Sequence, residues 1–428
     1  MHEQMVPHEV LLGLAEATGR RNDPGLRQML DHLFLMPDKD DQEIAKSLAE
    51  QFTREIRFHG RKVHPFLPSP EREALANGGG LIIGRIPNYK EVVRAPLNTH
   101  WYVAGTAGSG KTTAVEMATI LAYRSGRSVV VVDPEGQFAQ ELAGMVRPHD
   151  LYIVDQNSYL VNIYQPPAGC THEDWLGQFA NLERECFFFR YGAENLAMKV
   201  RRAILASGQE LTLPSFWQRL QEEGPKIARG SREWDSFDTV KTRTEALLNY
   251  FKALRVHRSR GLEEIMSRRF VIFDWHTLEN AQSKKFLTLH LLAWLMASRA
   301  GEVDHPADTL LVFDEVSQLA STELKNQSDI TEPYFDTAMR RARKKGFCIV
   351  TLDQNAAFTR PVVRGNSGVK IVLRQASGED RRVVANDLSL TPEQAAYLNK
   401  LEPREAVVKI PDVPIPFLVE LPEVQRAD

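Results

Sequence analysis

Several stretches of the chain are apolar almost without interruption, and between them apolar positions recur every three or four residues. The first group of runs is HWYVAG (His100 to Gly105), SVVVVD (Ser128 to Asp133) and LYIVD (Leu151 to Asp155), with helix-patterned sequence such as TAVEMATILAY between them. Runs apolar on both faces predict strands covered on both sides, and their alternation with helices predicts a parallel sheet. From about Pro166 to Met266 the strand signal stops. WLGQFANLERECFFFRYG, LAMKVRRAILASG, PSFWQRLQEEG and DTVKTRTEALLNYFKALRV all read as helices, so this block is expected to be an insertion. Strands return with FVIFDW (Phe270 to Trp275), TLLVFDE (Thr309 to Glu315), FCIVTLD (Phe347 to Asp353) and VKIVLRQ (Val369 to Gln375), and the same sheet is expected to resume.

The beginning of the chain has a different pattern. VLLGLAEATG, LRQMLDHLFLM and IAKSLAEQFTREIRF have helical periodicity, broken by Pro24 and the acidic PDKDD (Pro37 to Asp41). The proline- and glycine-rich PFLPSPEREALANGGG then leads into two short strands, GLIIGRIP and EVVRAP. The expected division is a helical N-terminal module with linker (1–79), a first part of an α/β core (80–165), an all-helical insert (166–266), and the second part of the core with a C-terminal tail (267–428).

Composition narrows the function classes. The chain has 428 residues, 43% hydrophobic and 25% charged, enough for two or three domains around a large core. A net charge of −3 gives no strong overall field towards nucleic acid or anionic lipid, so any such contact must be local. Two basic stretches lie in the insert, KVRR (Lys199 to Arg202) and KALRVHRSR (Lys252 to Arg260), the second following Tyr250 and Phe251. Either would hold phosphates without reading sequence, or is simply a solvated helix face. Cys170, Cys186 and Cys348 stand far apart with no C-x-x-C, against a disulfide framework or a zinc site and in keeping with a reducing cytoplasm. No signal peptide is evident, and the longest apolar stretch, Leu287 to Ala297, is too short to span a bilayer and reads as a buried helix. The expected location is cytoplasmic, or peripheral at a membrane complex.

The chemistry begins where the first strand ends. Gly105, Thr106, Ala107, Gly108, Ser109, Gly110, Lys111 and Thr112 read GTAGSGKT, a match to the phosphate-binding loop G-x-x-x-x-G-K-[ST] between a strand and a helix. Glycines let successive backbone N–H groups turn inward around a phosphate, and the following helix points its positive end at the same anion. Lys111 would reach the β- and γ-phosphates, and Thr112, better placed than Thr113, would offer its hydroxyl to Mg²⁺. The expected ligands are therefore ATP and Mg²⁺. LLVFDE supplies two acids at a strand end: Asp314 for the metal, and Glu315 to polarise an attacking water as general base. In FCIVTLDQN, Gln354 is the candidate to sense the γ-phosphate, with Asp353 and Thr351 behind it. The turn DPEGQF puts Asp133 near the phosphate loop, with Glu135 or Gln137 towards the cleft. YFDTAMRRARKKG places five cations in six positions at a helix end. These complement the helix dipole, or one of Arg340, Arg341 and Arg343 serves a neighbouring subunit's γ-phosphate.

Taken together, GTAGSGKTT, VVVDPEGQF, LLVFDE, RRARKKGFCIVTLDQN and VKIVLR with LSLTPEQAAYLNKLEPREAVVKI resemble the HerA/FtsK superfamily of ring-forming DNA-pumping ATPases. Within it the chain is similar to HerA helicases and to the ATPases of conjugation and type IV secretion, coupling proteins included. The resemblance runs from about Gly80 to Leu421. It implies a RecA-like P-loop core, a homo-hexamer with ATP between subunits and DNA in a central channel, ATP contacts at Gly105 to Thr113, metal and base roles at Asp314 and Glu315, and sensing at Gln354. The sequence departs from the family in two places. Coupling proteins usually begin with membrane helices, which are not seen here. HerA proteins carry an N-terminal β-barrel, of which GLIIGRIP and EVVRAP would be a remnant or a guiding strand pair. The insert is closer to the all-helical domain of coupling proteins, an analogy of fold alone.

The expected function is an ATP-hydrolysing ring motor that moves double-stranded or single-stranded DNA without sequence specificity. Secretion or nuclease proteins are further expected partners. The alternative is an ATPase that docks and drives protein substrates or assembly of a secretion machine without moving DNA. A small-molecule kinase fits less well, because Glu315 suits water activation and no lid is evident.

Overall fold

A computed structural model describes residues 8–18, 24–35, 39–59, 65–66, 70, 75, 79–87, 91–155, 160–250, 259–300, 305–322 and 332–422. Its strands are β1 (Leu81–Arg85), β2 (Val92–Ala95), β3 (His100–Ala104), β4 (Ser128–Asp133), β5 (Leu151–Val154), β6 (Leu160–Val161), β7 (Ser259–Arg260), β8 (Phe270–Asp274), β9 (Thr309–Phe313), β10 (Phe347–Asp353), β11 (Ser367–Val372), β12 (Glu405–Lys409) and β13 (Phe417–Glu420). Eleven of them form one sheet in the order β2-β1-β13-β12-β11-β3-β10-β9-β4-β8-β5. From β11 to β5 all neighbours are parallel. From β11 outward to β2 they are antiparallel.

Every apolar run read as a strand is therefore in the sheet, and it does resume after the insert. The pair β1 and β2 does not close a barrel; it is a hairpin that extends the sheet edge through β13. Side chains alternate between two cores. Val129 and Val131 enter the core on the face of the helix Lys111–Arg124, whereas Val130 and Val132 enter the core on the other face.

That second core has a wide reach. The helices His172–Phe187, Tyr191–Ala206, Leu213–Glu223 and Arg232–Tyr250 contribute Trp175, Phe179, Val200, Phe216 and Val240 to the same cluster as Phe273, Phe313 and Ile349 of the sheet. The helix Ala281–Ser298, whose apolar centre is buried all round, is the shared wall. Phe179 meets Phe286 edge-on at 5.2 Å, and Trp175 meets His290 at 5.3 Å. The base of the insert is closed by the two-residue parallel pair β6 and β7, too short to show in the apolar pattern. The first three helices, His8–Ala17, Pro24–Leu35 and Lys39–His59, pack a separate small core around Leu11, Leu30 and Phe52. Among the described residues no helix is long and apolar enough to cross a membrane.

The stretch KVRR is not a cationic face. Arg201 is 1% exposed, bound to Glu183 at 2.5 and 2.8 Å, and its guanidinium lies 4.6 Å from the centre of the Phe179 ring and 5.0 Å from that of Phe216. Arg202 pairs with Glu173, while Lys199 is exposed. The basic stretch Lys252 to Arg260 lies outside the described residues apart from the backbone of Ser259 and Arg260.

A buried ion pair that loses one member leaves a charge with neither water nor partner. Glu183→Gln or Arg201→Met alone should cost about 3–5 kcal/mol in urea unfolding, and the combined Glu183→Leu, Arg201→Met change should recover much of that loss. Equal or additive losses in the double variant would contradict this account.

Candidate active site

The site is built on the C-terminal ends of the parallel strands. Gly105 follows β3, its N–H donating to the carbonyl of Asp353 at the end of β10 (3.1 Å). Thr106 N–H donates to Arg374 O (2.9 Å), so the loop hangs between β10 and the end of β11. Gly108 and Gly110 have φ of 71° and 97°, where a side chain would be strained. A methyl at Gly105 would lie 2.5 Å from Ser109 Oγ. Gly110 caps the helix Lys111–Arg124 without a side-chain bond, and the first turn carries no acid. The first N–H groups of that helix thus remain available to an anion, with the positive end of its dipole behind them. Ser109 Oγ is buried with no hydrogen-bond partner, a donor suited to a phosphate oxygen. The loop fits a polyphosphate on each of these counts.

Lys111 Nζ donates to Gly105 O at 2.7 Å and to Thr106 O at 3.2 Å, across the loop. Burial lowers its pKa, and the nearby carboxylates of Glu315, Asp314 and Asp353 oppose that shift. The structure thus brings Lys111 together with the acid pair predicted from LLVFDE. Asp314 follows β9, its N–H held by Val132 O (3.2 Å) and its Oδ1 accepting from Glu315 N–H (2.9 Å). Burial, then the charges of Asp133 and Glu315, push its pKa up to about 7 against the pull of Lys111.

Glu315 has a left-handed backbone, φ 51° and ψ 54°, unusual for a residue with a side chain. Its Oε1 accepts from Ser317 Oγ (3.1 Å), and the side chain of Gln354 lies near enough to favour the charged form. Burial raises its pKa, which makes the carboxylate a stronger base. Thr112 Oγ1 is 3.4 Å from Gln137 Oε1, which puts Gln137 of the DPEGQF turn beside the loop. Thr113 is partly exposed one position further into the helix. Glu135 is exposed on that turn.

Two predicted positions turn out to have structural work. Asp133 is fully buried and accepts from Gly136 N–H (2.8 Å), Glu135 N–H (3.3 Å) and Ala139 N–H (3.1 Å), so it shapes the turn and caps the helix Gln137–Leu142. Asp353, also fully buried, takes the hydroxyls of Tyr102 (2.7 Å) and Thr359 (2.5 Å) on Oδ2 and Asn355 N–H (2.9 Å) on Oδ1. Thr351 Oγ1 donates to Trp101 O (3.2 Å).

Arg340, Arg341 and Arg343 are not at this site. The helix Tyr334–Arg341 and the turn to Gly346 precede β10, so these exposed arginines lie beyond the opposite ends of the strands. Arg340 pairs with Glu332, Arg341 lines a 470 Å³ cavity with Asp174 and Tyr334, and Arg343 is near enough to act on His100 at the start of β3.

The arginine helix is anchored by residues that the motif reading passes over. Asp336 forms a buried pair with Arg360 (3.0 and 2.8 Å), and His100 bonds Met339 O. Lys284, whose Nζ donates to Pro134 O (3.0 Å), lines a small cleft with Lys285, Asp314 and Glu315; a lysine pair at the start of an apolar helix gives no motif to find. Among the described residues no three His, Cys, Asp or Glu side chains are grouped to hold a metal. Mg²⁺ fits that arrangement, since it is ordinarily held by one or two carboxylates together with phosphate oxygens and water.

No family model matches this sequence, and no curated protein is significantly similar to it. Solved structures do match. VirB4 of Thermoanaerobacter pseudethanolicus superposes with a TM-score of 0.61 at 13% identity, over 82% of this chain and 98% of that one. The bacterial conjugative coupling protein TrwB, without its first 70 residues, gives 0.61 at 13% identity over 85% and 98%. TrwB with the GTP analogue GDPNP gives 0.60 at 14% identity over the same shares. The chain has the RecA-like P-loop NTPase fold found in VirB4 and TrwB.

Proposed function

We propose that the chain is a Mg²⁺-dependent ATPase that works as a ring, with DNA as the polymer it moves. The observation that carries the hydrolytic part is the convergence of Lys111, Asp314, Glu315 and Gln354 on one phosphate loop. Lys111 and the N–H groups from Gly105 to Thr112 bind and orient the β- and γ-phosphates. Asp314 and Thr112 hold Mg²⁺, which offsets phosphate charge when bound. Glu315 takes the proton of the attacking water, and Gln354 fixes the direction of that carboxylate. The same fold in TrwB has been captured with ADP and Mg²⁺.

One of Arg340, Arg341 and Arg343 completes the site from the next subunit. Their distance from the loop of their own chain supports this, because a guanidinium at the far end of the sheet has no route to its own γ-phosphate. A ring of such shared sites, six in the HerA/FtsK pattern, follows. DNA as cargo is supported by likeness to TrwB, described as a conjugative coupling protein. A second reading, movement of protein substrates, gains from one observation: Arg201 and Arg202 are consumed by ion pairs within the insert.

Three measurements test these assignments. Glu315→Gln should bind ATP nearly as the parent does but turn over about a hundredfold more slowly or worse; unchanged turnover removes Glu315 as base. ATPase activity should rise with added DNA, less so at high salt; stimulation by a secretion protein but not by DNA would select the second reading. Asp314 titrates near pH 7 in the folded chain but about 3.9 unfolded, so the folded state loses stability as pH rises through that window and is levelled above it. Asp314→Asn should therefore melt higher than the parent at pH 8, by about 2 °C or more, with the gap narrowing as pH falls below about 7 and closing only near about pH 4.

A further inference from the structure

His100 opens β3, five residues before the first glycine of the phosphate loop, and is 2% exposed. Both ring nitrogens are engaged. Nδ1 accepts from Ile349 N–H of β10 (3.0 Å), and Nε2 lies 2.9 Å from Met339 O. A backbone N–H can only donate and a carbonyl can only accept, so the ring must be neutral with its proton on Nε2. Burial supports this, pushing the pKa down to about 4, with the nearby Arg343 acting in the same direction. Met339 is the residue before Arg340, in the helix that carries the arginines.

The two ends of β3 thus touch different machinery. Its C-terminal end becomes the loop that holds phosphate; its N-terminal end grips the helix that presents arginines away from that loop. β3 lies in the middle of the sheet, in register with both β10 and β11, and a paired central strand moves as a unit. Asp336 with Arg360 holds the first turn of the arginine helix, and Arg299 and His305 hold the backbone of Lys345 and Lys344 beyond its end; between them, His100 links the turn that carries Met339 to β3.

We propose that His100 is a positioning residue that ties the strand under the phosphate loop to the arginine helix, so that a subunit's arginines reach its neighbour in register with its own loop. The inference rests on the arginines acting in trans, as argued under Proposed function. It adds a second direction of communication: the loop of one subunit governs what that subunit offers to the next.

Asparagine and glutamine separate the two bonds of His100. The Asn amide reaches the place of Nδ1 and can keep the Ile349 bond, whereas the Gln amide reaches the place of Nε2 and can keep the Met339 bond. His100→Asn should hydrolyse ATP about ten- to a hundredfold more slowly with KM changed less than about twofold, and His100→Gln should restore most of the rate. Melting temperatures of both variants are measured alongside. Mixing supplies the trans readout. Glu315→Gln subunits have a dead site but intact arginines, so mixing them with His100→Asn should restore activity; the Glu315→Gln, His100→Asn double variant should not restore it. A variant lacking all three arginines is the control. If Glu315→Gln fails to rescue that control, the trans-arginine reading falls and this inference with it. If the control is rescued but His100→Asn is not, or if Asn and Gln lose rate equally in step with melting temperature, this inference alone is overturned.

Discussion

The carboxyl group of Asp353 is the contact on which the site's geometry depends. It has no exposure to water, yet it satisfies its lone pairs with the hydroxyls of Tyr102 and Thr359 and the N–H of Asn355. Tyr102 belongs to β3, Thr359 to the loop beyond β10, and the carbonyl of Asp353 itself receives Gly105. One residue thereby fixes the spacing of the two strands, the start of the phosphate loop and the exit of the chain that carries Gln354. Buried polar clusters of this kind rigidify only when every member is satisfied. Here each named oxygen of the carboxyl has its donor.

Charge is arranged around that anchor with a bias that the bulk composition hides. Four adjacent strands, β10, β9, β4 and β8, end in or beside aspartates: Asp353, Asp314, Asp133 and Asp274. Asp133 and Asp353 are each served by three backbone or hydroxyl donors. Asp274 binds His276 (2.6 Å). Burial pushes Asp133, Asp314 and Glu315 alike towards the protonated form, but three backbone N–H donors oppose that at Asp133, whereas Asp314 and Glu315 lean on Lys111 and few other donors. Acids that are poorly served by the protein have most to gain from a cation or a water, and these are the two assigned to chemistry.

The parts legible in sequence were those whose signal is contiguous. GTAGSGKT, LLVFDE and FCIVTLDQN each hold strand, turn and functional residue within a few positions, and all three meet at one edge as expected. Residues that act through distant partners gave no such sign: Tyr102 and Asp353 are 251 positions apart, and His100 and Met339 are 239 apart. Sheet order was equally hidden, because apolar runs specify that a strand is buried but not beside which neighbour. The KVRR stretch looked cationic as a string. Its helical spacing held the answer, since Arg201 falls on the stripe of Ala197, Val200 and Ile204 and so is carried inward.

The core that the inserted helices share with one face of the sheet bears on how such a chain can change over generations. An appended domain with its own core can be lost, duplicated or traded between relatives with little penalty to the rest. Here, removing residues between β5 and β8 would uncover Val132, Phe273 and Phe313, so the helices and that face must have been selected as one unit. Diversification is thereby directed elsewhere: to the separately packed first three helices, which can be exchanged without disturbing the edge that carries the phosphate loop.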